Sequence, residues 1–376
     1  MKKEIGIYIH IPFCKSKCYY CDFISFANKE NNIQDYISAV IKEIGHIDLN
    51  KYIINTVYIG GGTPSILDSK YIIEIMDKLK NNLSENAEIT IEVNPGTANR
   101  KKLEDYKRAG INRISIGLQS TEDYLLKEIG RIHRFEEFLN VFEESRDVGF
   151  QNINVDLMLG LPNQTLEILE KSVEKIVKLS PEHISIYSLI LEEDTKLYSM
   201  INNKELKLPD EETERKMYWK VKEILEEKGY IHYEISNFSK EGYFSRHNSD
   251  CWSQKEYIGI GLAAHSYLEN KRFSNIDDME KYIKNINNNQ FEQNMIIHEN
   301  QTLEEKQKEM MLLGLRKIQG VNAKEFEKNF QKNPFVIYKE ELTKLITEGL
   351  LEIKDDYIKL TNKGLDLANL VWEKFV

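Results

Sequence analysis

Short β-rich apolar runs recur through the first half of the chain, at Ile5–His10, Thr56–Ile59, Ile89–Val93, Arg113–Gly117, Ile153–Leu157 and Ile184–Leu189. The longer stretches between them, such as Ile33–Ile47, Tyr71–Leu83, Phe135–Val148 and Leu166–Leu179, carry apolar residues at helical spacing. Strands alternating with amphipathic helices argue for βαβ units on a parallel sheet. Six such units predict an α/β fold built as a partial (β/α)6 TIM-like barrel, with an open doubly wound sheet as the alternative.

Beyond about residue 276 the pattern becomes more charged and Asn-rich, and Asn285-Ile-Asn-Asn-Asn-Gln290 reads as a linker. Leu303–Ile318, Ala323–Phe330 and Pro334–Glu348 then read as helices, and Leu351–Leu360 as a hairpin turning at Asp355-Asp356. Helices followed by a small hairpin predict a smaller C-terminal α+β domain of winged-helix-like shape. Three sections are expected: a barrel over 1–240, a segment and linker over 241–285, and a C-terminal domain over 286–376.

Chemistry in such barrels collects at the C-terminal ends of the strands. The first strand runs into a cysteine loop, the second into Gly60-Gly61-Gly62-Thr63-Pro64 and the third into Glu92-Val-Asn94-Pro95. The fourth ends in Gly117-Leu-Gln119-Ser120 and the fifth in Asp156-Leu-Met-Leu-Gly160. Any one of these could be a turn or a cap. Five in succession place polar or glycine-rich groups on one rim.

The cysteine loop, Cys14-Lys-Ser-Lys-Cys18-Tyr-Tyr-Cys21, holds three of the four cysteines in the chain. Three thiolates are one short of the four that close a structural zinc site or an electron-transfer [4Fe–4S] cluster. A Cys3His zinc site using His10, or three reduced thiols without a metal, are the plain alternatives. An open iron, by contrast, could be chelated by the amine and carboxylate of a small molecule that is to receive an electron.

The loop resembles the signature of the radical S-adenosylmethionine (SAM) superfamily, and that resemblance implies a [4Fe–4S] cluster on Cys14, Cys18 and Cys21. Glycine N–H groups at the second strand end could approach the methionyl group of SAM. Glu92 and Asp156 could accept from ribose hydroxyls or the ammonium, and Arg131 could pair with the carboxylate. From Tyr8 to the C-terminal tail the chain is similar to one branch, the oxygen-independent coproporphyrinogen III oxidase-like proteins, which include the oxidase and a heme chaperone. The resemblance implies SAM contacts for Tyr8, Gly61, Gly62, Thr63, Glu92, Gln119, Arg131 and Asp156, with a backbone contact at Ile190.

Two features lean toward the chaperone. Phe23 stands where the oxidase has a further cysteine, and the chain starts a few residues before the first strand, without the extension the oxidase carries. The run Ser245-Arg246-His247-Asn248-Ser-Asp-Cys251-Trp252 resembles the HNxxYW motif that the family links to heme binding, which implies His247 as an iron ligand and Phe244 and Trp252 as flanks of the porphyrin. Cys251 replaces the usual tyrosine; it reads as a small buried residue, with a thiolate ligand as the alternative. His265 is a competing histidine, in a glycine-rich setting that also suits a tight turn.

The formal net charge of −10, without any basic block, argues against nucleic acid and anionic membrane surfaces as partners. No apolar run nears the ~20 residues that span a bilayer, and the N-terminus lacks a signal-peptide core. A cytoplasmic protein is expected, with any membrane contact made through a partner. The expected function is a heme chaperone that uses a [4Fe–4S] cluster, SAM and heme and hands heme to a recipient apo-hemoprotein. SAM-dependent oxidation of coproporphyrinogen III is the enzymatic alternative.

Overall fold

The computed structural model describes residues 2–376. Six strands, β1 (Lys3–Ile11), β2 (Tyr52–Gly61), β3 (Leu83–Val93), β4 (Arg113–Gln119), β5 (Ile153–Leu159) and β6 (His183–Ser188), pair in that order and are parallel throughout. The crossovers carry α1 (Ile33–His46), α2 (Ser69–Leu79), α3 (Arg100–Arg108), α4 (Phe135–Asp147) and α5 (Leu166–Leu179). The expected partial barrel is therefore present.

Residues two apart on a strand share a face. On the outer face, Ile5, Ile7, Ile9 and Ile11 of β1, Ile89 and Ile91 of β3 and Ile114 and Ile116 of β4 join one buried core with the helices. On the inner face the same strands present Thr56, Glu88, Thr90, Arg113, Ser115, Asn154, His183 and Ser185, all buried. The lumen of the barrel is thus filled with polar groups that must satisfy one another.

The sheet continues past the six strands. On the β6 side, β7 (Ile231–Glu234) and β8 (Asn237–Ser239) add antiparallel, following α6 (Glu211–Glu227). On the β1 side, β9 (Tyr257–Ile260) adds parallel, and β10 (His265–Leu268), β11 (Lys271–Asn275) and β12 (Met295–Asn300) follow antiparallel. The result is one 12-stranded sheet that runs from β12 to β7. Segment 241–285 folds into this sheet rather than beside it. Its helix α8 (Met279–Asn287) buries Tyr282 and Ile286 in the barrel core and takes up the first half of the stretch expected as a linker.

A second apolar core gathers Met311, Phe326, Leu342, Leu350 and Ile358. It belongs to α9 (Leu303–Gly314), to helices Ala323–Phe330 and Lys339–Thr347, and to a hairpin of β13 (Leu351–Lys354) and β14 (Tyr357–Leu360), which pairs with Val321–Asn322. The hairpin turns where expected, with Asp355 and Asp356 at φ +50° and +67°, the consecutive left-handed residues of a two-residue turn. Helix α9 ends four residues short of Ile318 because the chain there pairs with the end of β7. Ile235 N–H donates to Arg316 O and Ile318 N–H to Tyr233 O, both at 3.1 Å.

The Arg316 guanidinium lies 4.4 Å from the ring centroid of Trp252 and 5.3 Å from that of Trp372. It sits between a helix of the barrel and the C-terminal helix. No helix among the described residues is long and apolar enough to cross a membrane.

Each cation–π contact is worth ~0.5–2 kcal/mol. Arg316→Ala is expected to lower the unfolding free energy by about 1–3 kcal/mol and to split one calorimetric transition into two. A single unchanged transition would show that the stack contributes nothing.

Candidate functional site

A cavity of about 500 Å³ opens at the C-terminal ends of the strands. Cys14, Cys18 and Cys21 line one wall, and Gly61, Gly62, Thr63, Glu92, Gln119, Arg131, Asp156 and Ile190 line the rest, so eleven of the residues singled out by sequence meet around one space. Tyr20, Tyr58, Asn94, Ser115, Met158 and Tyr187 line it too, without having been assigned from sequence. Tyr58, Ser115 and Tyr187 could have been found by counting inward positions in steps of two along β2, β4 and β6.

The cysteine loop is anchored at both ends. Phe26 N–H donates to Pro12 O at 2.8 Å and Tyr19 N–H to Ile129 O at 2.9 Å. His10 Nε2 pairs with Ile24 O at 2.8 Å, which occupies the ring that a Cys3His zinc site would need. Burial raises the Cys14 thiol and pushes Cys21 up to about 11. They are thiols at neutral pH until a cation draws off their protons. Among the described residues no three His, Cys, Asp or Glu side chains close around a point as they would around a single ion. The three thiols instead face a space large enough for a polynuclear group, and no fourth cysteine lines it. That donor set fits a cluster with one open iron better than a closed zinc shell.

The glycines of the second strand end serve packing. Gly61 has φ +110°, and a Cβ there would fall 2.5 Å from the His10 ring. At Gly62 a Cβ would fall 2.8 Å from Phe13 O and 3.0 Å from Cys14 Sγ. Their N–H groups, expected from sequence to be free for a ligand, are already used. Gly61 N–H donates to Glu92 Oε2 at 3.1 Å and Gly62 N–H to Ile11 O at 2.8 Å.

Opposite the thiols stand two carboxylates. Glu92 accepts from Tyr58 Oη at 2.8 Å as well as from Gly61. Burial, with the Asp156 carboxylate nearby, lifts its pKa to about 7. Asp156 accepts from Asn154 Nδ2 at 2.7 Å and from Ser115 Oγ at 3.2 Å, and burial raises it as well. Arg131 donates through Nη2 to Asn94 Oδ1 at 2.5 Å and to Gly117 O, and through Nη1 to Cys18 Sγ at 3.6 Å. Its Nε is buried without a partner. Gln119 holds φ +72°, a left-handed conformation uncommon for a non-glycine residue other than Asn or Asp.

Two assigned residues lie off the cavity. Tyr8 points into the lumen below it, with Oη 2.9 Å from His10 Nδ1 and its ring stacked on Tyr58. His247 lies on the far side of that aromatic layer, its ring centroid 5.4 Å from that of Tyr58. It is not a loop residue but the second residue of a short helix, α7 (Arg246–Trp252), whose N-cap is Ser245. Its Nδ1 is 2.9 Å from Thr56 Oγ1, and its N–H donates to Glu88 Oε1 at 3.0 Å. Gly6 makes room for the Thr56 hydroxyl that pairs with it: a Cβ there would fall 2.9 Å from Thr56 Oγ1. Burial, with the Arg113 charge nearby, lowers His247 to about 4, so the imidazole is neutral.

The presumed flanks of a porphyrin have other partners. Phe244 stacks on Tyr233 at 4.3 Å, and Trp252 holds Arg316. Cys251 is half-buried and desolvation pushes it up to about 12, which favours the packed thiol over a thiolate ligand. His265 opens the outer strand β10 after a tight turn through Gly261 and Ala263, stacked on His298 at 5.3 Å. It is not among the residues that line the cavity.

A partial barrel with three thiols at its rim is the arrangement of radical SAM proteins. The radical SAM superfamily model matches residues 8–176, and the HemN C-terminal domain model matches residues 301–367. The chain belongs to the heme chaperone HemW family. It is 38% identical to "Heme chaperone HemW" of Bacillus subtilis over 98% of both chains. It is 36% identical to the Lactococcus lactis protein of the same name, over 100% of this chain and 98% of that one. The coproporphyrinogen III oxidase HemN of Escherichia coli, described as a radical SAM enzyme, has the same fold. Its TM-score is 0.86 at 20% identity, over 100% of this chain and 90% of the oxidase.

Glu92 gives a pH test. Its folded pKa of about 7 lies above the ordinary 4.5, so the folded state binds the proton more tightly than the unfolded one. The stability this brings is complete below about pH 4.5 and is lost as pH rises through 7, by up to about 3 kcal/mol. Glu92→Gln is expected to raise the melting temperature relative to the parent at pH 8 and to leave it nearly unchanged at pH 4.5. A parallel shift at both values would mean that the carboxyl is not perturbed.

Proposed function

We propose that this chain is a heme chaperone that carries a [4Fe–4S] cluster on Cys14, Cys18 and Cys21, binds SAM in the cavity beside it, ligates heme through His247 and passes the heme to an apo-hemoprotein. The observation that carries the cofactor assignment is the meeting of three thiols, and no fourth, with Glu92, Asp156 and Arg131 around one cavity. The chaperone assignment is supported by the names of full-length relatives and by Phe23, which is 62% exposed at the cavity mouth and offers no further thiol there.

When bound, such a cluster supplies an open iron and an electron. The chain's own residues do the rest. Arg131 donates to Cys18 Sγ and so holds that side chain at the cavity. Glu92 and Asp156 present acceptors to hydroxyl or ammonium donors of SAM, and a cationic ligand favours their ionised forms. Ile190, 69% exposed at the rim, offers backbone to the adenine end.

At the other end of the lumen His247 is already the neutral imidazole that iron takes. In this conformation it is 7% exposed and paired with Thr56. Ligation of heme therefore requires α7 to lift from Thr56 and Glu88. The recipient, the second axial ligand and a cytoplasmic location are part of the proposal only as the chaperone role implies them.

The test is an anaerobic heme titration of cluster-reconstituted protein, followed at the Soret band, beside His247→Ala. Saturation at a single heme in the parent, with affinity weakened about tenfold or more (~1.4 kcal/mol) in the variant, is the expected result. Identical spectra and affinities would remove His247. Decarboxylated product from coproporphyrinogen III with SAM and a reductant would replace the chaperone with the oxidase.

A further inference from the structure

A buried hydrogen-bond chain joins the cavity to the helix that bears His247. It starts at Asp156, whose Oδ1 accepts from Asn154 Nδ2 at 2.7 Å. Asn154 Oδ1 lies 2.5 Å from His183 Nδ1, and His183 Nε2 lies 2.7 Å from the Tyr233 hydroxyl. The Tyr233 oxygen in turn accepts from the backbone N–H of Ser245 at 3.2 Å. Ser245 caps α7 and Oγ accepts from Asn248 N–H at 3.5 Å. Asn154, His183, Tyr233 and Ser245 are all buried.

Only one set of proton positions satisfies this chain. The Asp156 carboxylate can only accept, so the Asn154 amide donates to it and the Asn154 carbonyl accepts from His183 Nδ1–H. Neutral His183 is then an acceptor at Nε2, so the Tyr233 hydroxyl donates to it while its oxygen accepts from the Ser245 N–H. All four links point the same way, from helix to carboxylate, an arrangement in which each bond polarises the next. Burial and the Arg113 charge keep His183 neutral, as this pattern requires.

Helix α7 makes its other N-terminal contacts with the same lumen. Arg246 and His247 N–H donate to the Glu88 carboxylate at 3.1 and 3.0 Å, and His247 pairs with Thr56. The seven-residue helix is therefore held at its start by inward-facing groups of the barrel, and the Tyr233 link is the one that leads back to the cavity.

We propose that Asn154, His183 and Tyr233 are positioning residues through which occupancy of the cavity at Asp156 sets the barrel's hold on the His247 helix. The inference rests on the reading above, with SAM in the cavity and heme at His247. A ligand that donates to Asp156 competes for the lone pairs used by Asn154. As that amide turns away, His183 loses its acceptor, the Tyr233 hydroxyl reorients, and its hold on the Ser245 N–H weakens. SAM thereby loosens α7 and opens the way to His247, which couples the two sites thermodynamically.

The test is amide hydrogen exchange over residues 245–252 in cluster-reconstituted protein, with and without SAM, in the parent and in Tyr233→Phe, with SAM binding measured by calorimetry on the same samples. In the parent, SAM is expected to speed exchange by about fivefold or more, within the range of coupling between sites. In Tyr233→Phe, exchange is expected to be fast already, and SAM to add less than about twofold while still binding. His183→Ala serves as a second variant, with the same expectation if it folds. Unchanged or slowed exchange in the parent with SAM bound, or a full response in Tyr233→Phe, would overturn the proposal. If SAM fails to bind, the cavity assignment falls and takes the strut with it. If the exchange response is as expected but heme ignores His247→Ala, the strut is supported and only the heme assignment falls.

Discussion

The barrel's six strands send isoleucine and valine outward to the helices and polar side chains inward, and this alternation governs what the interior can do. Buried polar groups are costly unless they pair. A lumen that contains Glu88, Arg113, Asn154, Asp156 and His183 therefore has to be wired internally, between residues two apart on one strand, as Asn154 and Asp156 are, and from strand to strand. The wiring observed, Tyr58 to Glu92, Ser115 to Asp156 and Asn154 to His183, is of this cross-strand kind. It fixes side chains at depths that a hydrophobic core would leave interchangeable.

The same wiring explains the electrostatics of the cavity. Glu92 and Asp156 are raised chiefly because each is buried, and the Arg113 charge near both offsets this only in part, while Arg131 is engaged by Asn94, Gly117 and Cys18. Two carboxyls and two thiols, Glu92, Asp156, Cys14 and Cys21, thus hold their protons through burial around one cavity. If the cavity takes SAM and a cluster as proposed, a cationic ligand and a metal that takes over the thiol protons would relieve that burial.

Much of this was legible in the residues. The six strands, their crossover helices, the rim of strand ends and the C-terminal hairpin all appear where period and turn chemistry place them, since each is a local pattern. Strands β7 to β12 were not legible: most are three to six residues long and owe their place to pairing with β6 and β1 rather than to their own periodicity. The glycines at 61 and 62 were recognised, but their purpose was inverted, because sequence does not reveal that the His10 ring and Phe13 O press against them. Tyr8 shares the inward face with the cavity residues and pairs in register with Tyr58, yet its hydroxyl is taken by His10. His247 and Trp252, neighbours in a motif, face different halves of the molecule, and no local signal announces the Arg316 that occupies Trp252.

That last contact bears on the order in which the chain is made. Trp252 leaves the ribosome well before Arg316, and Trp372 comes almost at the end. Throughout synthesis of the C-terminal domain, the His247 helix can be gripped by the finished barrel at its first turn but has nothing to hold at its last. The stack closes only when the final helix arrives. A truncated or interrupted chain would then carry a complete rim cavity and a half-fastened His247 helix, so the two parts mature at different times during translation.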